Sequence, residues 1–483
     1  MIILREKRET DVASGGQPCS LVAAQGAGWS HICAGSKPGS GGNEGEIGFA
    51  LDIGTTTIAM TAVDLYNRKI IGKTSRTNSQ TAWGADVMMR IMHARAGRLS
   101  MLQQMVVRQV EDMAMGLLTA QGFVGHNGAK PDRVGSGLMQ EGTGRKYRFA
   151  VVGNTAMCHL FLGKPVDGLA GYPFEGAYQG NYCCTGEELG MAVFKKAEVL
   201  VLSSIAAHVG GDALAVIGAR RLYDSTKVQL AIDLGTNAEI MLNKRGQVLA
   251  CSAAAGPAFE GKGVACGMRA APGAVVGVKL AANTGNIVLE YLAGRKPRGI
   301  CGSGLADAVA ELVKAGLLQE DGCMLEREQA GGKKLSGQLM PKDGNRSFVF
   351  CGGEQAEREI YLTQQDIRNV QLAKGAIQAG VQSLLEEAGV SLGEVDELVI
   401  AGALGSCLHP KNAVSIGLLP KVEPDRFQAV GNAAEDGAVE MLLDGEFAGK
   451  MEKLAGQIRH VELANSEEFR RLMLGGMDFR EYQ

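Results

Sequence analysis

The rhythm of apolar and polar positions changes several times along the chain, and each change predicts an element. From Ile47 the stretch GFALDIGTTTIAMTAVDL reads as two β-branched, apolar strands joined at a Gly-Thr-Thr-Thr turn, a hairpin that opens a domain. Between about Ala85 and Leu118, Met and Leu recur at three-to-four spacing, which predicts helix with the Met stripe in the core. YRFAVVGNTAMCHLFLG (147–163) reads as strand, tight Gly-Asn-Thr turn and helix. SSIAAHVGGDALAVIGARRLYD (203–224) reads as a loop leading into a small-residue helix. A second strand pair follows in VQLAIDLGTNAEIML (228–242), then a turn feeding an amphipathic helix in RGICGSGLADAVAELVKAGLL (298–318). The helix of 363–390 starts with Thr363 as N-cap and Asp366 at the third helical position, a capping-box pattern with Asp in place of Glu or Gln. A buried strand in DELVIAGALGS (396–406), the segment VGNAAEDGAVEMLLDG (430–445) and a mixed-charge helical tail complete the reading.

One similarity organises this list. ALDIGTT at 50–56 and AIDLGTN at 231–237 share Ala, Asp, Gly and Thr at matching places and exchange Leu with Ile, so the chain contains its own duplicate, with Asp52 and Asp233 in equivalent positions. The 483 residues are enough for about three compact units. The duplication turns that into two related lobes, 47–227 and 228–483, after a Gly/Ser-rich segment, 1–46, read as a flexible arm.

Composition narrows the function. Lys plus Arg is 49 against 52 Asp plus Glu, a net charge of −3, so no basic field favours nucleic acid. No apolar run reaches the length of about 18 residues that a membrane span needs, and no signal-like core precedes the first charges, which reads as a cytoplasmic protein. The 11 cysteines are scattered with no C-x-x-C pair, which argues for reduced thiols and against an iron–sulfur cluster in this chain. Glycine is the anomaly. Its 68 residues are about twice the usual share of about 7%, and they gather at the motifs rather than spreading evenly.

An Asp-x-Gly-Thr hairpin tip has a direct chemical use. Glycine lets backbone N–H groups approach phosphate oxygens, threonine hydroxyls add donors, and the strand-end carboxylate can hold a divalent cation or a water. Two copies on a duplicated fold would grip a nucleotide from both sides. A third glycine turn, AGALG at 401–405, offers a surface on which an adenine ring could lie.

These residues resemble the sugar kinase, Hsp70 and actin superfamily. The implied fold class is α/β, a duplicated ribonuclease H-like fold with two lobes around a nucleotide cleft. The resemblance implies ATP and Mg2+ as cofactors, with Asp52 and Asp233 at the metal. It places Gly54, Thr55, Thr56, Thr57, Gly235, Thr236 and Asn237 at the phosphates, and Gly402, Ala403 and Gly405 at the nucleoside. Asp212 in GGDALA is similar to the catalytic base of carbohydrate kinases, with helix capping as the plainer alternative. Glu260 in GPAFEG could order a catalytic or metal-bound water, or simply face solvent. Three further residues are weighed: His159 is read as structural, His208 lies nearer the predicted cleft, and Ser303 could contact phosphate, with capping of its helix the simpler account.

The phrases GFALDIGTTT, VVGNTAM, DLGTNAE, GPAFEG, GICGSGL, LTQQDIRNVQLAKGAI and GNAA, in that order, resemble the ATPase part of the reductive activators of corrinoid-dependent methyltransferases. That resemblance implies ATP-driven reduction of Co(II) to Co(I) on a corrinoid partner protein, and a homodimer. The family's iron–sulfur module is not matched by the cysteine spacing here, which implies a separate electron donor. Two alternatives remain at this level: a small-molecule kinase in which Asp212 deprotonates a substrate hydroxyl, and a nucleotide-gated binding module without turnover.

Overall fold

The computed structural model describes residues 1–8, 45–123, 145–342 and 344–482, which form two compact units. The first gathers residues 45–123, 145–224 and 432–460. Its six-stranded sheet runs in the order Lys69–Thr77, Thr57–Asp64, Ile47–Ile53, Tyr147–Gly153, Glu198–Val201, Tyr182–Thr185. Ile47–Ile53 pairs antiparallel with Thr57–Asp64 and parallel with Tyr147–Gly153, so it lies in the sheet's interior. Both faces of that strand are covered, and the residues sort by the two-residue period. Phe49, Leu51 and Ile53 enter a core shared with Val106, Val110 and Met113 of the Leu99–Ala120 helix. Gly48 lies on the other face, where an added Cβ would sit 2.8 Å from Leu442 of the Ala433–Leu443 helix. Asp52 shares that second face.

The predicted helix over 85–118 is broken. Val87–His93 and Leu99–Ala120 are separate helices across a kink at Ala96 and Gly97, the latter at φ +83°. The Met stripe also divides. Met113 is buried as expected, but Met88, Met89 and Met92 are exposed, and Arg90 from the same short helix is fully buried in their stead.

The second unit gathers residues 1–8, 225–431 and 461–482. Its larger sheet contains, in order, Phe427–Gly431, Glu397–Ala401, Val228–Leu234, Ala238–Lys244 and Gln247–Ala253. Val228–Leu234 repeats the burial sequence of Ile47–Ile53, buried throughout except at its Asp. The Gln364–Ala388 helix packs on this sheet, with Gly380 tight against Ile240. Its capping box forms as predicted between Thr363 and Asp366. A smaller sheet runs Ile2–Lys7, Asn286–Leu292, Ala274–Ala281, Gly299–Ile300.

Two boundary expectations are corrected. Within the expected arm 1–46, Ile2–Lys7 is a strand, paired in parallel with Asn286–Leu292 and held by a 2.6 Å Lys7–Glu290 ion pair. The apolar run Ile2-Ile3-Leu4 before the charges was its signal. The rest of the expected arm, residues 9–44, lies outside the described residues. The segment 432–460, placed by sequence in the second lobe, belongs to the first unit, because the Ala433–Leu443 helix packs on Ile47–Ile53 and on Gly211–Ala219. No helix among the described residues is long and apolar enough to cross a membrane.

Candidate functional site

In the first unit the hairpin register sets the tip. Ile53 opposes Ile58, leaving a four-residue turn closed by the Gly54 N–H donating to Thr57 O at 2.9 Å. Thr55 and Thr56 are buried and Thr57 is half-buried. Because Asp52 lies on the strand face covered by the Ala433–Leu443 helix, it meets that helix at its N-terminus. Asn432 donates from Nδ2 to Asp52 Oδ2 at 3.0 Å while its own Oδ1 accepts from the Glu435 N–H at 3.2 Å. One side chain thus caps the helix and orients the carboxylate. Glu435, whose burial raises its pKa, accepts from the Thr61 hydroxyl at 2.5 Å, a second tie between helix and hairpin.

Asp212 stands in the first turn of Gly211–Ala219 and accepts from the Ala213 N–H at 2.8 Å. Burial of its carboxyl pushes its pKa up to about 6. Desolvation, then Asp212, then Asp52 push the buried Cys158 thiol well above its usual range, so both carboxylates bear on one place behind the Asn154 turn. An added Cβ on Gly210 would lie 2.5 Å from Gly153 O. The DIG, VVGNTAM and GGD motifs therefore converge within this unit.

In the second unit the equivalent turn is one residue shorter. Leu234 opposes Ala238, and the Gly235 N–H donates to Asn237 O at 3.0 Å. Asp233 ends the strand beside Ala401 of the parallel neighbour. The next residue, Gly402, takes φ +87°, and a Cβ there would lie 2.8 Å from Asp233 Oδ1, so only glycine fits. The Thr236 hydroxyl donates to Glu260 Oε1 at 2.9 Å, while Glu260 Oε2 is buried with no hydrogen-bond partner. A buried carboxylate oxygen left unpaired costs about 1–3 kcal/mol, so the site is built to receive a donor such as a water or a hydrated cation. A Cβ on Gly302 would lie 2.1 Å from Phe259 O and 2.8 Å from Leu404, a close approach that packs GICGSGL, GPAFEG and AGALG together.

The other expected residues divide. Ala403 is exposed, whereas Gly405 is buried against Ile400, so its missing side chain serves packing. Ser303 neither caps its helix nor offers a free hydroxyl, since it donates to Val276 O at 2.9 Å. His159 is structural, as expected: Nδ1 donates to Thr155 O at 2.7 Å, Nε2 accepts from the Ala177 N–H at 2.9 Å, and burial lowers its pKa. His208 rests on the Phe174 ring, with centroids 4.6 Å apart. Asn432 was missed as a positioning residue, although the N-A-A-E spacing after a strand is a capping signal.

No group of three or more His, Cys, Asp or Glu side chains among the described residues could hold a metal on its own. Magnesium needs no such cage: it keeps waters and takes one or two carboxylates alongside substrate phosphates. A strand-end carboxylate such as Asp52 or Asp233 fits that pattern, and the open oxygen of Glu260 suits a water.

A family model described as the C-terminal domain of RACo, the ASKHA domain, matches residues 227–483, and one for the RACo middle region matches 47–131 and 132–225. The corrinoid activation enzyme RamQ of Eubacterium limosum is 32% identical over 425 residues, covering 87% of this chain and 68% of its own length. A Co(II) methylated amine-specific corrinoid protein reductase of Methanosarcina barkeri is 24% identical over 459 residues, covering 88% of this chain and 76% of its own length. A solved structure, the reductive activator for corrinoid, iron–sulfur protein, superposes with a TM-score of 0.79 at 29% identity, covering 92% of this chain and 67% of that one.

Proposed function

The chain belongs to the RACo family, and on that premise we propose that it couples ATP hydrolysis to the reduction of a Co(II) corrinoid, carried by a partner protein, to Co(I). The single observation that carries this reading is the match over both lobes to relatives whose names specify corrinoid activation and Co(II) corrinoid reduction.

Nucleotide energy is needed because adding one electron to Co(II) is unfavourable with ordinary cellular donors. A nucleotide state can help only by favouring the complex that holds Co(I) over the one that holds Co(II). Each tenfold preference raises the apparent potential of a one-electron couple by about 59 mV. In this reading the hairpin tips Gly54–Thr57 and Gly235–Asn237 cradle the phosphates, and Gly402, Ala403 and the Gly405 turn flank the nucleoside. Asp52 and Asp233 would hold Mg2+, which would supply neutralisation of phosphate charge. Asp212 receives a proton from the attacking water, and Glu260, fixed by Thr236, orders water at its open oxygen. The electron comes, in this reading, from a separate donor. The protein acts in the cytoplasm, in keeping with the nine free cysteines among the described residues, and as a homodimer like the family it resembles.

The test combines the chain with a Co(II) corrinoid protein, Mg2+, a low-potential reductant and ATP while the visible spectrum is followed. Growth of the Co(I) band only when ATP is present supports the proposal. A spectrum indifferent to ATP with every corrinoid partner tried removes it.

A further inference from the structure

The short helix Val87–His93 turns Ile91 into the core, with Val87 packed against it, but breaks that apolar face at Arg90. It exposes Met88, Met89 and Met92 and sends Arg90 into the interior at 0% exposure, where the guanidinium is among the largest fully buried side chains. Taking a guanidinium out of water is costly, and a methionine could have filled much of the same volume, so the choice of arginine calls for a role that apolar packing cannot fill.

The contacts supply one. Arg90 donates from Nη2 to Thr55 O, from Nε to Gly84 O at 3.1 Å and from Nη1 to Gln80 Oε1 at 3.4 Å, with Met157 Sδ 3.0 Å away. Thr55 O belongs to the tip of the first phosphate hairpin. The carbonyls on either side of it are held from the same neighbourhood. Asn78 Nδ2 donates to Gly54 O at 3.0 Å and the Asn78 N–H to Thr56 O at 2.8 Å. Asn78 is itself fixed by the Gln80 N–H donating to its Oδ1 at 3.0 Å, and Gln80 is tied to the long helix through Leu102 O at 2.9 Å. Three successive carbonyls are therefore turned back into the protein. In a trans peptide the C=O of one residue and the N–H of the next point in opposite directions, so this holds the N–H groups of Thr55, Thr56 and Thr57 facing the other way.

We propose that Arg90 is a positioning residue for polyphosphate binding: its guanidinium locks the Thr55 peptide so that the hairpin presents its N–H groups to an anionic phosphate, and it sets a fixed positive charge behind them. The inference rests on the nucleotide reading of the hairpin and deepens it. It also gives the segment between Thr77 and Met92, which carries no recognisable motif, a role in the site.

The test measures dissociation constants for ATP and for adenosine with the wild-type chain, Arg90→Lys and Arg90→Met, alongside thermal melting without nucleotide. Lysine keeps the charge and most of the volume but loses the fork. ATP affinity should fall roughly 10- to 100-fold in Arg90→Lys, while adenosine affinity stays within about twofold, because only the phosphate contacts depend on the loop. A purely structural arginine would weaken both ligands alike or neither, and an unchanged ATP-to-adenosine ratio in a folded Arg90→Lys would overturn the inference alone. Should Arg90→Met not fold, the lysine variant still decides. Wild-type protein that binds neither ligand would overturn the nucleotide reading and this inference with it.

Discussion

Asp212→Asn isolates a carboxylate whose environment is plainly tuned. Desolvation raises Asp212 from its ordinary 3.8 to about 6, against the opposing hydrogen bond from the Ala213 N–H. Asparagine keeps an acceptor for that N–H and removes the charge. The folded state therefore holds a proton on Asp212 between about pH 4 and pH 6 where the unfolded chain has lost it, and stability from this group falls as pH rises through that window. At about 1.36 kcal/mol per pH unit the rise corresponds to about 3 kcal/mol, and screening by the solvent that still reaches the residue reduces it to about 1–3 kcal/mol. Urea melts of the nucleotide-free protein should show Asp212→Asn gaining on wild type from pH 4.5 to pH 8, with about a third of the full gap present at pH 4.5. ATP turnover should move the opposite way, dropping roughly 10²- to 10⁴-fold if the carboxylate takes the proton of the attacking water. A stability difference that is the same at both pH values would refute the desolvation argument, and turnover kept within about twofold would reduce Asp212 to the first turn of its helix.

The remaining predictions follow from single contacts. Asp52→Ala and Asp233→Ala should each abolish ATP turnover with melting temperature and circular dichroism little changed, because each removes a strand-end carboxylate rather than core volume; hydrolysis intact in both would contradict the site. Asn432→Asp keeps a good helix cap but replaces the donor to Asp52 with a like charge, so turnover should fall and its acid limb move to higher pH; an unchanged turnover and pH profile would mean that Asn432 only caps. Gly402→Ala should weaken nucleotide binding, since φ +87° is strained for alanine and the new Cβ crowds Asp233 Oδ1; unaltered affinity by calorimetry would show that this turn is not at the nucleotide. Removing residues 1–46 deletes the Ile2–Lys7 strand and its ion pair to Glu290, so melting temperature should fall while nucleotide affinity persists.

Much of this architecture was legible because duplication and strand periodicity are local properties. ALDIGTT and AIDLGTN announce two equivalent hairpins, and both strands are buried except at their Asp. The capping box at Thr363 was readable for the same reason: it depends on residues three apart. What the sequence left hidden depends on tertiary partners. The inward turn of Arg90 runs against the Met periodicity and is visible only when Thr55 O, Gly84 O and Met157 are placed around it. The segment 432–460 follows the second lobe in the chain, and only the packing of Ala433–Leu443 on Ile47–Ile53 assigns it to the first unit. Ser303, most simply read as a helix cap, donates to Val276 O instead, and the close approach of Gly405 to Ile400 is a tertiary contact that no motif shows. The one-residue difference between the two hairpin tips is likewise a matter of register, since the motifs match through the threonine and diverge only at the return strand.

The central claim is that nucleotide turnover drives corrinoid reduction, and one measurement meets it directly. A Co(II) corrinoid protein with Mg2+ and a low-potential reductant is followed in the visible spectrum with ATP, with a non-hydrolysable analogue, and with the Asp233→Ala chain in place of wild type. The account predicts a Co(I) band that grows with ATP and wild type only, in step with phosphate release. Equal Co(I) formation with the analogue or with Asp233→Ala, or phosphate release without any change at cobalt, would contradict it.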